Sequence, residues 1–122
     1  MAQSIIQNKY DTTEILNWGT YNTVGQVLNL NDDITNYDFI LIRSGSASGD
    51  AYGGGMYLTY IPKIYYGAIN EQSFGVMYQL NGSFHSLDLK RTGNRQLTIQ
   101  ARFSTGNWFS GIRQIFGYKL KR

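Results

Sequence analysis

A chain of 122 residues makes one domain, long enough to bury a core without staples, and the absence of cysteine removes disulfides, thiol chemistry and thiolate zinc sites. Fourteen glycines, ten tyrosines, six phenylalanines and a single proline favour strands and turns over helices. Eleven basic against eight acidic residues leave a net charge of +3, too mild and too scattered along the chain to mark a nucleic-acid binder.

Met1–Tyr10 lacks the basic start and apolar run of a secretory signal, and no stretch reaches membrane-spanning length. The expectation is a protein made in a cytoplasm without a signal peptide and without membrane insertion. Residues 1–11 read as a polar, amide-rich arm that a partner holds in place, and residues 12–122 as a single domain. Thr12–Trp18 and Val24–Leu30 read as two strands around a turn at Gly19–Thr23, predicting an opening hairpin. Asn31-Asp32-Asp33 ends the second strand by turn chemistry, in which short polar side chains bond the local backbone. An adjacent acid pair also invites a metal or catalytic reading, but no His or further carboxylate lies nearby to complete such a site.

Tyr37–Ile42 is a short, nearly unbroken apolar run, with Phe39 and Leu41 facing one way and Ile40 and Ile42 the other. It predicts a central strand with apolar neighbours on both faces. Ser44–Gly55 follows as a glycine-rich loop whose one large side chain is Tyr52, and the lack of a terminal Gly-Lys-Ser/Thr argues against a phosphate cradle. Met56–Ile61 is a strand ended, or confined to an edge, by Pro62, while Lys63–Gly67 reads as a short strand or an aromatic loop. Ser73–Leu80 places Phe74, Val76, Tyr78 and Leu80 on one face, and Asn81-Gly82 turns it into Ser83–Lys90. His85 lies within that strand with no Ser or acid placed for a relay, so it reads as a packing or surface residue. After a turn at Arg91–Asn94, Arg95–Phe103 points Leu97, Ile99, Ala101 and Phe103 inward. Ser104–Phe109 carries Trp108. The last strand, Gly111–Leu120, sets Ile112, Phe116, Tyr118 and Leu120 against Arg113 and Lys119 on the opposite side.

About eight short strands with turn signals every eight to twelve residues predict an all-β protein, an antiparallel β-sandwich of jelly-roll or related type. Two segments add a resemblance. Leu30–Ile42, with Asp32, Ile34, Asn36, Tyr37 and Asp38, and the end of the chain, with Ile112, Ile115, Phe116, Gly117 and Lys119, are similar to the C-terminal tip domains of bacteriophage tail-fibre and related receptor-binding proteins. Trp18 and Trp108 also sit where such domains carry aromatics. The resemblance covers the chain from about Thr12 onward and rests on fold-forming positions. It implies a homotrimeric virion protein, a tail-fibre tip that touches a host-surface polysaccharide or an outer-membrane receptor. Only about ten residues precede the sandwich, where fibre tips follow a long shaft. That leaves two expectations open: the tip of a longer fibre, or a small head-decoration or baseplate-accessory protein that docks on other virion proteins through its N-terminal arm.

Sugar binding needs aromatic faces with amides and hydroxyls around them. The candidates are Tyr52, Tyr65, Tyr66, Asn107 and Trp108, with Trp18 and Tyr21 as a second aromatic group. Arg91, Arg95 and Arg113, read as surface residues, would meet phosphate or uronate groups. A depolymerase needs two carboxylates roughly 5 to 9.5 Å apart across a cleft. Asp38, Asp50, Glu71 and Asp88 are scattered without motif support, so no catalytic residue, metal or cofactor is assigned.

Overall fold

The computed structural model describes residues 8–46, 56–69, 72–80, 83–104 and 110–122. Eight strands are arranged as two four-stranded antiparallel sheets. In chain order they are β1 (Tyr10–Leu16), β2 (Val27–Asn29), β3 (Phe39–Ser46), β4 (Met56–Pro62), β5 (Ser73–Leu80), β6 (Ser83–Gly93), β7 (Gln96–Ser104) and β8 (Ser110–Leu120). The first sheet has the order β1-β8-β3-β4 and the second β2-β7-β6-β5. This is the predicted antiparallel β-sandwich. Connections cross between the sheets at β1–β2, β2–β3, β4–β5 and β7–β8, whereas β3–β4 and β5–β6–β7 stay within one sheet. Among the described residues no helix is long and apolar enough to cross a membrane.

The predicted opening hairpin does not form, because β1 and β2 lie in different sheets. Segment 17–26 is too long for a tight turn and instead passes from one sheet to the other. Tyr21 bridges Ile112 on the way, and Gly25, in the left-handed region at φ +88°, donates its N–H to the Ile99 carbonyl.

The central strand forms as expected, two residues further on. β3 lies between β8 and β4, with Ile40 and Ile42 fully buried against the second sheet. The turn before it is built by its acids. Asp33 caps the 3-10 turn Ile34–Asn36 by accepting from the Thr35 N–H at 2.9 Å, and Asp32 accepts from the Tyr37 hydroxyl at 2.8 Å. Each carboxylate sits below its ordinary pKa, Asp32 chiefly through the Tyr37 bond and Asp33 through Thr35. Among the described residues no group of three His, Cys, Asp or Glu side chains is placed to hold a metal ion. The hydrogen bonds to Thr35 and Tyr37 are the turn chemistry expected of these two acids. Pro62 ends β4 at the edge of its sheet, and Lys63–Tyr65 form a 3-10 turn, where a short strand or loop was expected.

Three bulges redirect side chains that alternation alone assigns wrongly. Asp88 pairs with Ala101 and Leu89 with Ile99, leaving Gln100 as an extra residue in β7. Leu97 and Ile99 are buried as predicted, but Ala101 and Phe103 beyond the bulge are exposed. In β8 Arg113 is the extra residue, since Ser44 pairs with Ile112 and Arg43 with Gln114. Ile112 and Ile115 thus share the core, while Phe116 and Tyr118 turn to the opposite side of the sheet. A third bulge at Ile15 puts both Ile15 and Leu16 in the core. One cluster from both sheets fills the interior, with Leu28, Leu30 and Ile34 closing it beside β7. β5 contributes Phe74, Val76 and Tyr78 as predicted, and the side chain of Leu80 falls outside what is described.

Candidate functional site

Tyr52, Asn107 and Trp108 lie outside the described residues, as do Asp50 and Glu71. The strands that carry the first three are neighbours: Ser46 at the end of β3 pairs with Ser110 at the start of β8, and Gly45 with Met56 of β4. The described ends of β3, β4 and β8 therefore lie side by side. Beneath these ends, the Tyr78 hydroxyl and Ser110 Oγ share a buried hydrogen bond of 2.9 Å, Tyr57 packs on the Tyr78 ring, and His85 stacks flat on it, 5.2 Å between centroids. Burial holds His85 below its ordinary pKa and pushes Tyr78 up to about 12, so both are neutral near pH 7. A neutral imidazole stacked on a phenol is a packing element. Of the two roles open to His85, the structure selects burial.

The other candidates separate into two groups. At the β1 side of the first sheet, Trp18 is half exposed, with the guanidinium carbons of Arg113 and Arg43 at 4.8 and 5.6 Å from its ring centroid. Arg113, expected at the surface, is buried; its Nη1 donates to Thr20 Oγ1 at 2.5 Å. The bulge at Arg113 and the Trp18 ring together take it out of solvent. Arg43 Nη1 donates to Gln114 Oε1 at 2.7 Å, and Gln114 Nε2 donates to Glu14, so one amide joins the carboxylate to the guanidinium. Tyr21 is half-buried and donates its hydroxyl to the Asn17 carbonyl at 2.9 Å.

At the opposite end, Tyr65 is exposed on the 3-10 turn, but its neighbour Tyr66 is fully buried, donating its hydroxyl to the Tyr37 carbonyl at 2.9 Å. Tyr66 belongs to the core and offers no face to a ligand. Arg91, also expected at the surface, is only 5% exposed; its guanidinium donates to the carbonyls of Gly67 and Gly93 and to Asn94 Oδ1. Loop carbonyls buried at this end need donors, and Arg91 supplies them. Arg95 is exposed at the β6–β7 turn. No single surface therefore gathers the described candidates.

What the structure does gather is a set of aromatics on the outer side of the first sheet. Tyr118 pairs across strands with Phe39 and Thr12; Phe116 with Leu41 and Glu14; Leu41 in turn with Tyr60. Phe39 stacks parallel on Tyr118 at 4.7 Å and 8°, and meets the edges or tilted rings of Tyr10 at 5.0 Å and Tyr60 at 5.8 Å. An open cleft of about 460 Å³ lies here, lined by Tyr10, Asp38, Phe39, Tyr60 and Pro62. Tyr60 is half exposed, Tyr118 almost covered. The sequence contained one signal for this face: Phe39 and Leu41 alternate against Ile40 and Ile42. A two-layer sandwich has only one interior, so one apolar side of its central strand must look outward.

No known protein family's sequence profile matches the chain, and no curated protein matches it significantly.

Proposed function

We propose that the chain is a non-enzymatic bacteriophage virion component, a trimeric tail-fibre tip or receptor-binding module that attaches to a host-surface glycan or outer-membrane protein. The observation that carries this reading is the aromatic outer face of the first sheet. A solvated sandwich face is ordinarily lined by polar side chains, as Asp88, Lys90 and Thr98 line much of the outer face of the second sheet. Here Tyr10, Phe39, Leu41, Tyr60, Phe116 and Tyr118 occupy that position instead; Leu41 and Tyr118 are buried, Tyr10, Phe39 and Phe116 are half-buried, and Tyr60 is half exposed, so aromatic ring surface remains open to a ligand. The similarity of Leu30–Ile42 and Ile112–Lys119 to phage fibre tips supplies the biological setting. Whole-cell adsorption of the purified protein to a panel of bacterial envelopes tests the reading, and failure to adsorb to any envelope fraction would overturn it.

A second reading, a head-decoration or baseplate-accessory subunit, draws on a different observation. Met77 and Phe103 flank Ser86 across three adjacent strands of the second sheet, all on its outer face, with Phe84 beside them; the three large side chains are each at least half exposed. Such a patch suits contact with other virion proteins. Incorporation into particles that survives removal of host adsorption would favour this second reading.

A further inference from the structure

Resting on the adhesion reading, we infer that the cleft between Tyr10 and Tyr60 is a subsite for one neutral hexopyranose unit of the host glycan. Its construction matches that chemistry part by part. Phe39 is the floor, held by its parallel stack on Tyr118, and Tyr10 and Tyr60 are the walls. Tyr60 is 47% exposed, which leaves ring surface for the C–H face of a sugar. Asp38 stands at the rim as an acceptor. Its Oδ2 accepts from the Leu120 N–H at 2.7 Å, which fixes the carboxylate and leaves Oδ1 to take a sugar hydroxyl. A carboxylate at the rim repels a uronate and suits an uncharged ring. The cleft volume of about 460 Å³ lies within the range of small-molecule sites. The subsite is preformed: β1, β3, β4 and β8 each hold part of it in register, so no loop need close over the ligand.

The test is a titration of the full chain with methyl hexopyranosides (gluco, galacto and manno) and with glucuronate, followed by amide chemical shifts. Saturating shifts at Asp38, Phe39 and Tyr60 are expected for at least one neutral sugar, with a dissociation constant on the order of millimolar. Tyr60→Ala should weaken binding about tenfold or more, Asp38→Asn, which preserves the acceptor for Leu120, about three- to tenfold, and Trp18→Ala should leave it unchanged. No shift at these residues with any of the sugars, or a preference for glucuronate, overturns the proposal. So does a drop in solution mass caused by Tyr60→Ala, which would assign the face to a second copy of the chain. Adsorption to cells that persists in a Tyr60→Ala protein unable to bind sugar refutes the subsite as the receptor contact and leaves the adhesion reading intact. Sugar binding without adsorption to any cell does the reverse.

Discussion

The ring of Tyr37 lies directly on the backbone of Gly117: a Cβ placed at Gly117 would come within 2.5 Å of two ring carbons. The turn that leads into β3 and the end of β8 are thus packed on each other. Beside this contact the Asp38 N–H donates to the Tyr118 carbonyl at 2.8 Å, and Asp38 Oδ2 accepts from Leu120. Together these contacts make one structural unit, the β3–β8 pair with the turn that leads into it.

Gly117→Ala should therefore destabilise the fold by about 1–3 kcal/mol, the usual cost of overpacking a filled core. Urea denaturation of the two proteins measures it. A variant as stable as the parent would show that the Tyr37 ring can move aside.

Tyr66 offers a second measurement. Removing its hydroxyl strands the Tyr37 carbonyl in the core, so Tyr66→Phe should cost about 1–3 kcal/mol, and Tyr66→Ala about 3–5 kcal/mol through the added cavity. If Tyr66 instead met ligand, Tyr66→Phe would weaken binding and leave the unfolding midpoint unchanged.

Stability should be flat between about pH 6.5 and 10 and fall on both sides. His85 is held by burial below its ordinary value of 6.5, so the unfolded chain takes up a proton that the folded chain refuses. Its contribution is complete above pH 6.5 and is lost as the pH falls below it. Asp32 and Asp33, lowered from 3.8 by hydrogen bonds from Tyr37 and Thr35, add a second acid loss at lower pH. Tyr78 is raised by burial from 10 to about 12, so its contribution is full below pH 10 and is lost as the pH rises toward 12. Thermal unfolding across pH checks both limbs, and His85→Phe should flatten the one just below pH 6.5.

The bulge at Gln100 predicts an asymmetry within β7. Ile99→Ala should cost about 2–5 kcal/mol, as for a buried aliphatic side chain, whereas Phe103→Ser should change stability by less than about 0.5 kcal/mol. Denaturant midpoints of the pair decide it, and a costly Phe103→Ser would mean that this ring is packed.

Read from the sequence alone, period-two alternation, Gly and Asn at turns and a shortage of helix formers lead to a β-sandwich, and they place the buried ends of β3, β5 and β7 correctly. These signals are local: a strand's period, a turn's φ and a capping carboxylate such as Asp33 depend on neighbours a few residues away. The tertiary structure decided what depends on distant partners. It sent β1 and β2 to different sheets. It inserted Ile15, Gln100 and Arg113 as bulge residues, which turned Phe103 and Tyr118 away from the core, and it drew Arg91 inward because carbonyls of Gly67 and Gly93 there lacked donors. The aromatic cleft belongs to the same class. Tyr10, Phe39, Tyr60 and Tyr118 come from four strands spread over more than a hundred residues, and only the register of the sheet brings them together.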